Sequence, residues 1–232
     1  MNYLLTHLDD AWELTVIHLW LSLLPLVLGL VIAVPLGALV HRTKLLRRLT
    51  TVTASIIFTI PSLALFVVLP LIIPTTILSP ANVIVALTLY TVALLVRAVP
   101  EALDAVSPAV LDAATAVGYR PLTRMLKVEL PLAIPVLVAS LRVVAVTNIS
   151  MVSVGSVIGI GGLGTWFTDG YQSDKSDQII AGIIAIFVLA IVIDTLIMFA
   201  GKAATPWTRT GRVGRRAARA SEATGETEVA AA

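Results

Sequence analysis

The chain has 232 residues, 58% hydrophobic and only 13% charged, whereas about a quarter of the residues in soluble domains are charged, which excludes water as its main solvent. Sixteen Lys and Arg against fourteen Asp and Glu leave a net charge of +2, so the position of the basic residues matters more than their sum. There is no cysteine, which excludes disulfides, thiolate metal sites, cysteine nucleophiles and redox switching.

The stretch up to Glu13 carries Asp9, Asp10 and Glu13 but no Lys or Arg. The apolar run after it is too long for a signal peptide and is expected to stay as a membrane helix. His7, His18 and His41 are spaced to suit no metal motif, which leaves them structural or solvated roles. A run of about 20 apolar residues crosses a bilayer as a helix, because lipid offers nothing to an unpaired backbone group. Five stretches qualify: 17–40, 52–73, 81–99, 132–154 and 179–200. Pro25, Pro35, Pro61 and Pro70 fall in or near the first two, where kinks rather than breaks are expected. Trp12, Trp20 and Trp207 sit near span boundaries and read as interfacial anchors.

The loop after the first span holds Arg42, Lys44, Arg47 and Arg48. The loop after the third holds Arg120, Arg124 and Lys127, with Arg97 at its edge, and the tail holds Lys202, Arg209, Arg212, Arg215, Arg216 and Arg219. The opposite loops are nearly bare, with Lys175 against Asp169, Asp174 and Asp177. Retention of Lys and Arg in the cytoplasm then predicts an outside N-terminus, a cytoplasmic C-terminus and an odd number of spans. The fold class expected is an all-α polytopic membrane protein, with a membrane domain over 1–206 and a basic, disordered tail over 207–232.

Residues 100–130 are long for a membrane connection and read as two short helices. Ser107 is a suitable N-cap and Pro108 suits the first turn. Val110, Ala113, Ala114 and Val117 then recur at helical spacing, and Gly118 supplies a left-handed stop. Pro121 opens a second helix with Arg124, Met125, Leu126, Lys127 and Val128, and Pro131 is expected to open the next span.

Asp112-Ala113-Ala114, Gly118, Val128 and Leu130-Pro131 resemble the EAA loop of binding-protein-dependent ABC importer permeases, with Asp for Glu and Val for Ile. The resemblance implies the type I importer permease fold with a cytoplasmic coupling helix. It implies that Asp112, Ala113, Ala114, Gly118, Tyr119, Leu122, Leu130 and Pro131 form the contact with a separate ATPase, to which ATP and Mg2+ bind. No cofactor is then held by this chain. The stretches 58–65, 128–135 and 159–164 look like permeases of osmoprotectant importers, the glycine betaine, carnitine and choline branch. Methionine importers have a comparable loop and glycine cluster. The implied partners are two ATPase subunits, a second permease, identical or paralogous, an extracytoplasmic substrate-binding protein and membrane lipid, with no nucleic acid. The implied location is the cell membrane of a prokaryote, crossed several times.

Gly159, Gly161 and Gly164 match a dinucleotide-binding pattern in spacing, but no strand precedes them. With Gly162 they are expected to make a broken helix or turn at the outer mouth, either a gate or a close-packed joint. Arg142 and Asp194 are charges inside spans, each costing at least about 2.5 kcal/mol unless partnered. Their depths, about 16 Å and 9 Å from the cytoplasmic ends, permit an ion pair between the fourth and fifth helices, or a part in the path. Tyr90, Thr147, Asn148, Ser150 and Ser153 are polar within or at the ends of spans, and either line a translocation path or bond between helices. A cage for a quaternary ammonium built by this chain alone is not expected. Gly201-Lys202 lacks the rest of a phosphate-binding loop, and no nucleophile or paired-carboxylate motif is present, so the chain is not expected to be an enzyme. A secondary transporter, the competing class, calls for repeats and several titratable residues inside spans. Asp194 is the only acid there.

Overall fold

The computed structural model describes residues 2–208. The tail from 209 on, with Arg209, Arg212, Arg215, Arg216 and Arg219, lies outside the described residues. A short helix α1 (Asn2–Thr6) leads into α2 (Leu8–His41), followed by α3 (Lys44–Thr59) and α4 (Ser62–Val68). Next come α5 (Pro80–Asp104), α6 (Pro108–Ala116), α7 (Pro121–Arg124) and α8 (Leu130–Gly155), and finally α9 (Gly164–Gln172) and α10 (Ser176–Ala204). The described residues contain helices and no strand, as expected of a chain whose apolar runs must satisfy their own backbone in lipid.

Four stretches, Leu8–His41, Pro80–Asp104, Pro121–Ile158 and Ser176–Ala204, are long and apolar enough to cross a membrane. The expected second span is different. Lys44–Thr59 and Ser62–Leu71 qualify only together and are bent by 88° where they meet, so the kink expected at Pro61 is a break. Its cause is local: proline disfavours helical backbone in the residue before it, and Ile60 and Pro61 are both extended, with ψ of 128° and 132°. The carbonyl of Ile60 is taken instead by the Tyr90 hydroxyl at 2.6 Å. Pro25 and Pro35 leave α2 continuous, and that helix packs along its length on α5. Pro70 stands in a short 3-10 turn, Leu69–Leu71.

Gly29, Ala33 and Gly37 repeat every four residues along one face of α2, and all three are buried. A Cβ on Gly37 would lie 2.5 Å from Val99, and one on Gly29 would overlap Thr91. Small residues at this spacing let two helices approach closely where burial of oil in oil gives no drive. Around this α2–α5 pair lies a central core of Leu26, Ala33, Leu95, Val144, Ile149, Leu163, Leu189 and Ile193.

A second correction concerns Pro131. The second loop helix and the fourth span are one rod: α7 runs through a π-helical turn, Met125–Glu129, into α8. Pro131 therefore lies inside the rod, directly after the π turn, and the donor it lacks falls where the helical hydrogen-bond register is already shifted.

Candidate functional site

At the end of the bundle that carries the basic loops, α6 stands out from the spans as a small, well-defined helix. Pro108 occupies its first turn and Val117 its C-cap. Gly118 follows with φ of +93°, and its N–H reaches the Thr115 carbonyl while that of Tyr119 reaches Ala114. This paired arrangement satisfies the last carbonyls and fixes the exit angle. A Cβ at Gly118 would meet nothing within 4 Å, so backbone sign, not space, selects glycine here.

Asp112 and Ala113 are exposed, and so are Val110, Val117, Tyr119, Leu122 and Leu126, Val117 at 80%. Ala114 turns inward. Leu130 packs against Val99, Ala102, Leu103, Val106, Met125 and Ala133, and Pro131 is half-buried beside it. The eight loop residues named from sequence therefore divide. Asp112, Ala113, Gly118, Tyr119 and Leu122 lie on the outside, while Ala114, Leu130 and Pro131 root the loop in the bundle. Large apolar side chains exposed beyond the span ends are what a partner surface can cover.

Sequence reading passed over the device that holds this helix. Arg124 donates from Nε to Glu129 at 2.8 Å and from Nη1 to the Thr115 hydroxyl at 2.8 Å. Glu129 is 5% exposed. In an α-helix, residues five apart point about 140° away from each other. The wider π turn brings Arg124 and Glu129 onto one side. The clasp thus ties α6 to the root of α8. Two further pairs frame this end: Arg47 donates to Asp104 at 2.7 Å, and His41 lies 3.5 Å from the same carboxylate.

Within the bundle, Asn148 is enclosed and donates to the Thr91 hydroxyl at 3.0 Å and to the Ser22 carbonyl at 3.3 Å, joining α8, α5 and α2. Tyr90 is 1% exposed and committed to Ile60. Neither presents a polar atom to a groove. Ser150 and Ser153 do line one, of about 490 Å³, with Ile183, Phe187 and Phe167. Thr147 bonds back to Val143 in its own helix. Arg142 of α8 and Asp194 of α10 form a two-pronged pair, Nε to Oδ1 at 2.7 Å and Nη2 to Oδ2 at 2.6 Å. About a third of each side chain is exposed.

At the opposite end, α8 passes through a 3-10 turn, Ser156–Ile158, into a glycine turn. Gly159 and Gly162 have φ of +76° and +107°. A Cβ on Gly164 would lie 2.8 Å from the Ser153 backbone, whereas one on Gly161 would make only ordinary contact. Gly162 backs onto His18 of α2, whose Nδ1 would be 3.0 Å from an added Cβ. His18 is fully buried, and its Nε2 donates to the Ile149 carbonyl at 2.9 Å. Among the described residues, no group of three or more His, Cys, Asp or Glu is placed to hold a metal ion.

A sequence profile of the family described as "Binding-protein-dependent transport system inner membrane component" matches residues 26–210. The osmoprotectant import permease protein OsmW of Salmonella typhimurium is 35% identical over 202 residues, covering 85% of this chain and 93% of that protein. The choline transport system permease protein OpuBB of Bacillus subtilis is 32% identical over 206 residues, covering 89% and 94%. Among solved structures, an inward-facing MetNI methionine ABC transporter chain superposes with a TM-score of 0.68 at 27% identity, covering 86% of this chain and 94% of that one.

Proposed function

The chain belongs to the binding-protein-dependent transport system inner membrane component family, and from that premise we propose that it carries small osmoprotectants of the glycine betaine, choline and carnitine class across the membrane. It is a membrane-embedded, non-catalytic permease subunit of an ABC importer, so energy enters from a separate ATPase. The basic end faces the cytoplasm, as the retention of Lys and Arg in short loops requires. There α6, with Asp112 and Ala113 on its exposed side, and Gly118, Tyr119 and Leu122 beyond it, seats in the ATPase. An extracytoplasmic binding protein docks at the other end, beside the glycine turn. A second permease, identical or paralogous, completes the path.

One observation carries this reading: a short helix outside the spans and the turn after it leave Asp112, Val117, Tyr119 and Leu122 exposed, while a clasp binds the helix to a membrane-crossing rod. A rigid helix fixed to a rod transmits a partner's closure. The same face lying on headgroups would need no clasp.

The substrate class rests on what the relatives are named for. Its test is the chain reconstituted with its ATPase and binding protein in liposomes. ATP-dependent uptake of radiolabelled choline, glycine betaine or carnitine is expected, with no competition by methionine. Uptake of methionine alone would assign the subunit to an amino-acid importer, and uptake driven by an ion gradient without ATP would remove it from this class.

A further inference from the structure

The break in the second apolar stretch lies close to the middle of the membrane. Ile60 is held by Tyr90, the eleventh residue of the 25-residue α5, about 15 Å along that helix. The break also sits beside the core of Leu21, Leu87 and Val152, on which Ile57 packs. An 88° bend interrupts the backbone ladder, leaving the last carbonyls of α3 and the first N–H groups of α4 without helical partners. The Tyr90 hydroxyl and the Leu65 N–H recover the carbonyls of Ile60 and Pro61. Open backbone at this depth is tolerated against protein or water, never against lipid tails. Yet Phe58, Thr59, Ile60 and Pro61 are all exposed, Phe58 at 40%.

The α3 side of that exposed surface is electronegative, and the opposing N–H end belongs to a helix of only seven residues. The 16-residue α3 ends here with the negative pole of its dipole. The Phe58 ring stands edge-on to Tyr90 at 5.7 Å and leaves part of itself open. The only acid within the apolar stretches, Asp194, is occupied by Arg142. A positive charge passing the α3 side of the break therefore meets the negative helix end and the open part of the Phe58 ring, groups that hold an alkylammonium ion loosely enough to release it.

We propose that the break at Phe58–Pro61 lines the aqueous path and is a transit site for the cationic head of a small organic solute. The solute class rests on the functional reading above, whereas the exposure of the break to water does not. It is a low-affinity contact on the way through, distinct from a binding cage.

The absence of cysteine makes the test direct. Thr59→Cys, Ile60→Cys and, as a lipid-side control on α2, Val31→Cys are each placed in the full reconstituted complex. They are treated with a trimethylammonium methanethiosulfonate, which is water-soluble, membrane-impermeant and itself a quaternary ammonium. Labelling at Thr59→Cys or Ile60→Cys at least tenfold faster than at Val31→Cys, and slowed severalfold by saturating choline, is the expected result. Rates equal to the control would show the break covered by lipid or the second permease, and would overturn the proposal. Fast labelling indifferent to choline, in a complex that imports choline, would overturn the transit site. If the unmodified complex imports no quaternary amine, the substrate class falls, while the labelling ratio still decides whether the break faces water. Phe58→Ala is expected to cut uptake about fivefold with ATP hydrolysis retained, and Phe58→Tyr to keep it; equal uptake by all three proteins would also overturn the transit site.

Discussion

Replacing Arg124 by Gln isolates the clasp between α6 and the membrane rod. Arg124→Gln removes two charge-assisted hydrogen bonds, to Glu129 and to Thr115, and strands a carboxylate that is 5% exposed. Breaking a fully buried pair costs about 3–5 kcal/mol. The Arg124 side chain is 30% exposed, so about 2 kcal/mol is the sensible figure, equivalent to roughly thirtyfold in the population of the correctly set α6. The loss falls on a joint rather than on the bundle core, so the protein should still insert and bind its ATPase. The assay is solute imported per ATP hydrolysed in proteoliposomes. That ratio is expected to drop about tenfold or more in Arg124→Gln. It should recover most of the way in Arg124→Gln with Glu129→Gln, because replacing both partners leaves no buried charge unmatched. Thr115→Val, which removes one bond, should cost about threefold. An unchanged ratio in Arg124→Gln, or a double variant no better than the single, would refute the clasp as the transmitting joint.

Gly118→Val should abolish most uptake without loss of membrane insertion, since φ of +93° costs a β-branched residue about 1–2 kcal/mol. Gly118→Asn should retain more, because Asn tolerates left-handed backbone; equal uptake by both variants would show that the turn is not critical. Arg142→Asp and Asp194→Arg should each lower the yield of folded protein, since an unpaired charge in a span costs at least about 2.5 kcal/mol. The exchanged pair should restore it by size-exclusion profile, and two additive losses would dismiss the pairing. Tyr90→Phe should lower the melting temperature of the detergent-solubilised protein by a few degrees, for a lost hydrogen bond of about 1 kcal/mol; an unaltered melting curve would mean that the Ile60 carbonyl finds another donor.

Much of this architecture is legible before any coordinates. Apolar length locates the spans, and Ser107, Pro108 and Gly118 mark both ends of α6 by mechanisms that act within a few residues. What stays hidden depends on partners distant in sequence. Whether a proline in a membrane helix kinks or breaks it turns on who takes the freed carbonyl, and for Ile60 the answer lies 30 residues away in Tyr90. Arg124 and Glu129 are five apart, a spacing that α-helical reasoning discards, and nothing in Met125–Glu129 announces a π turn. For Asn148 the sequence leaves open a path or a joint between helices and favours the joint. Its partners Thr91 and Ser22 decide where it points.

The continuity of α7 with α8 changes how motion at α6 must travel. The stretch Pro121–Ile158 has 38 residues, about 57 Å at an α-helical rise, nearly twice the roughly 30 Å hydrocarbon core. A tilt of about 10° at the clasp therefore displaces the far end by about 10 Å, with no hinge needed. Two attachments oblige neighbours to follow: the Arg142–Asp194 pair binds α10 to the middle of the rod, and Gly164 abuts the Ser153 backbone so tightly that the glycine turn cannot slide on α8. Contact with α2 is of a different kind, resting for its hydrogen bonds on His18 to Ile149 and Asn148 to Ser22. Both lie in the half of α8 toward the glycine turn, so a tilting rod must either drag α2 with it or give up those two bonds. The Gly29, Ala33 and Gly37 face holds α2 close to α5, and Asn148 also donates to Thr91 of α5, so a tilt of the rod loads its seam with both of these helices together.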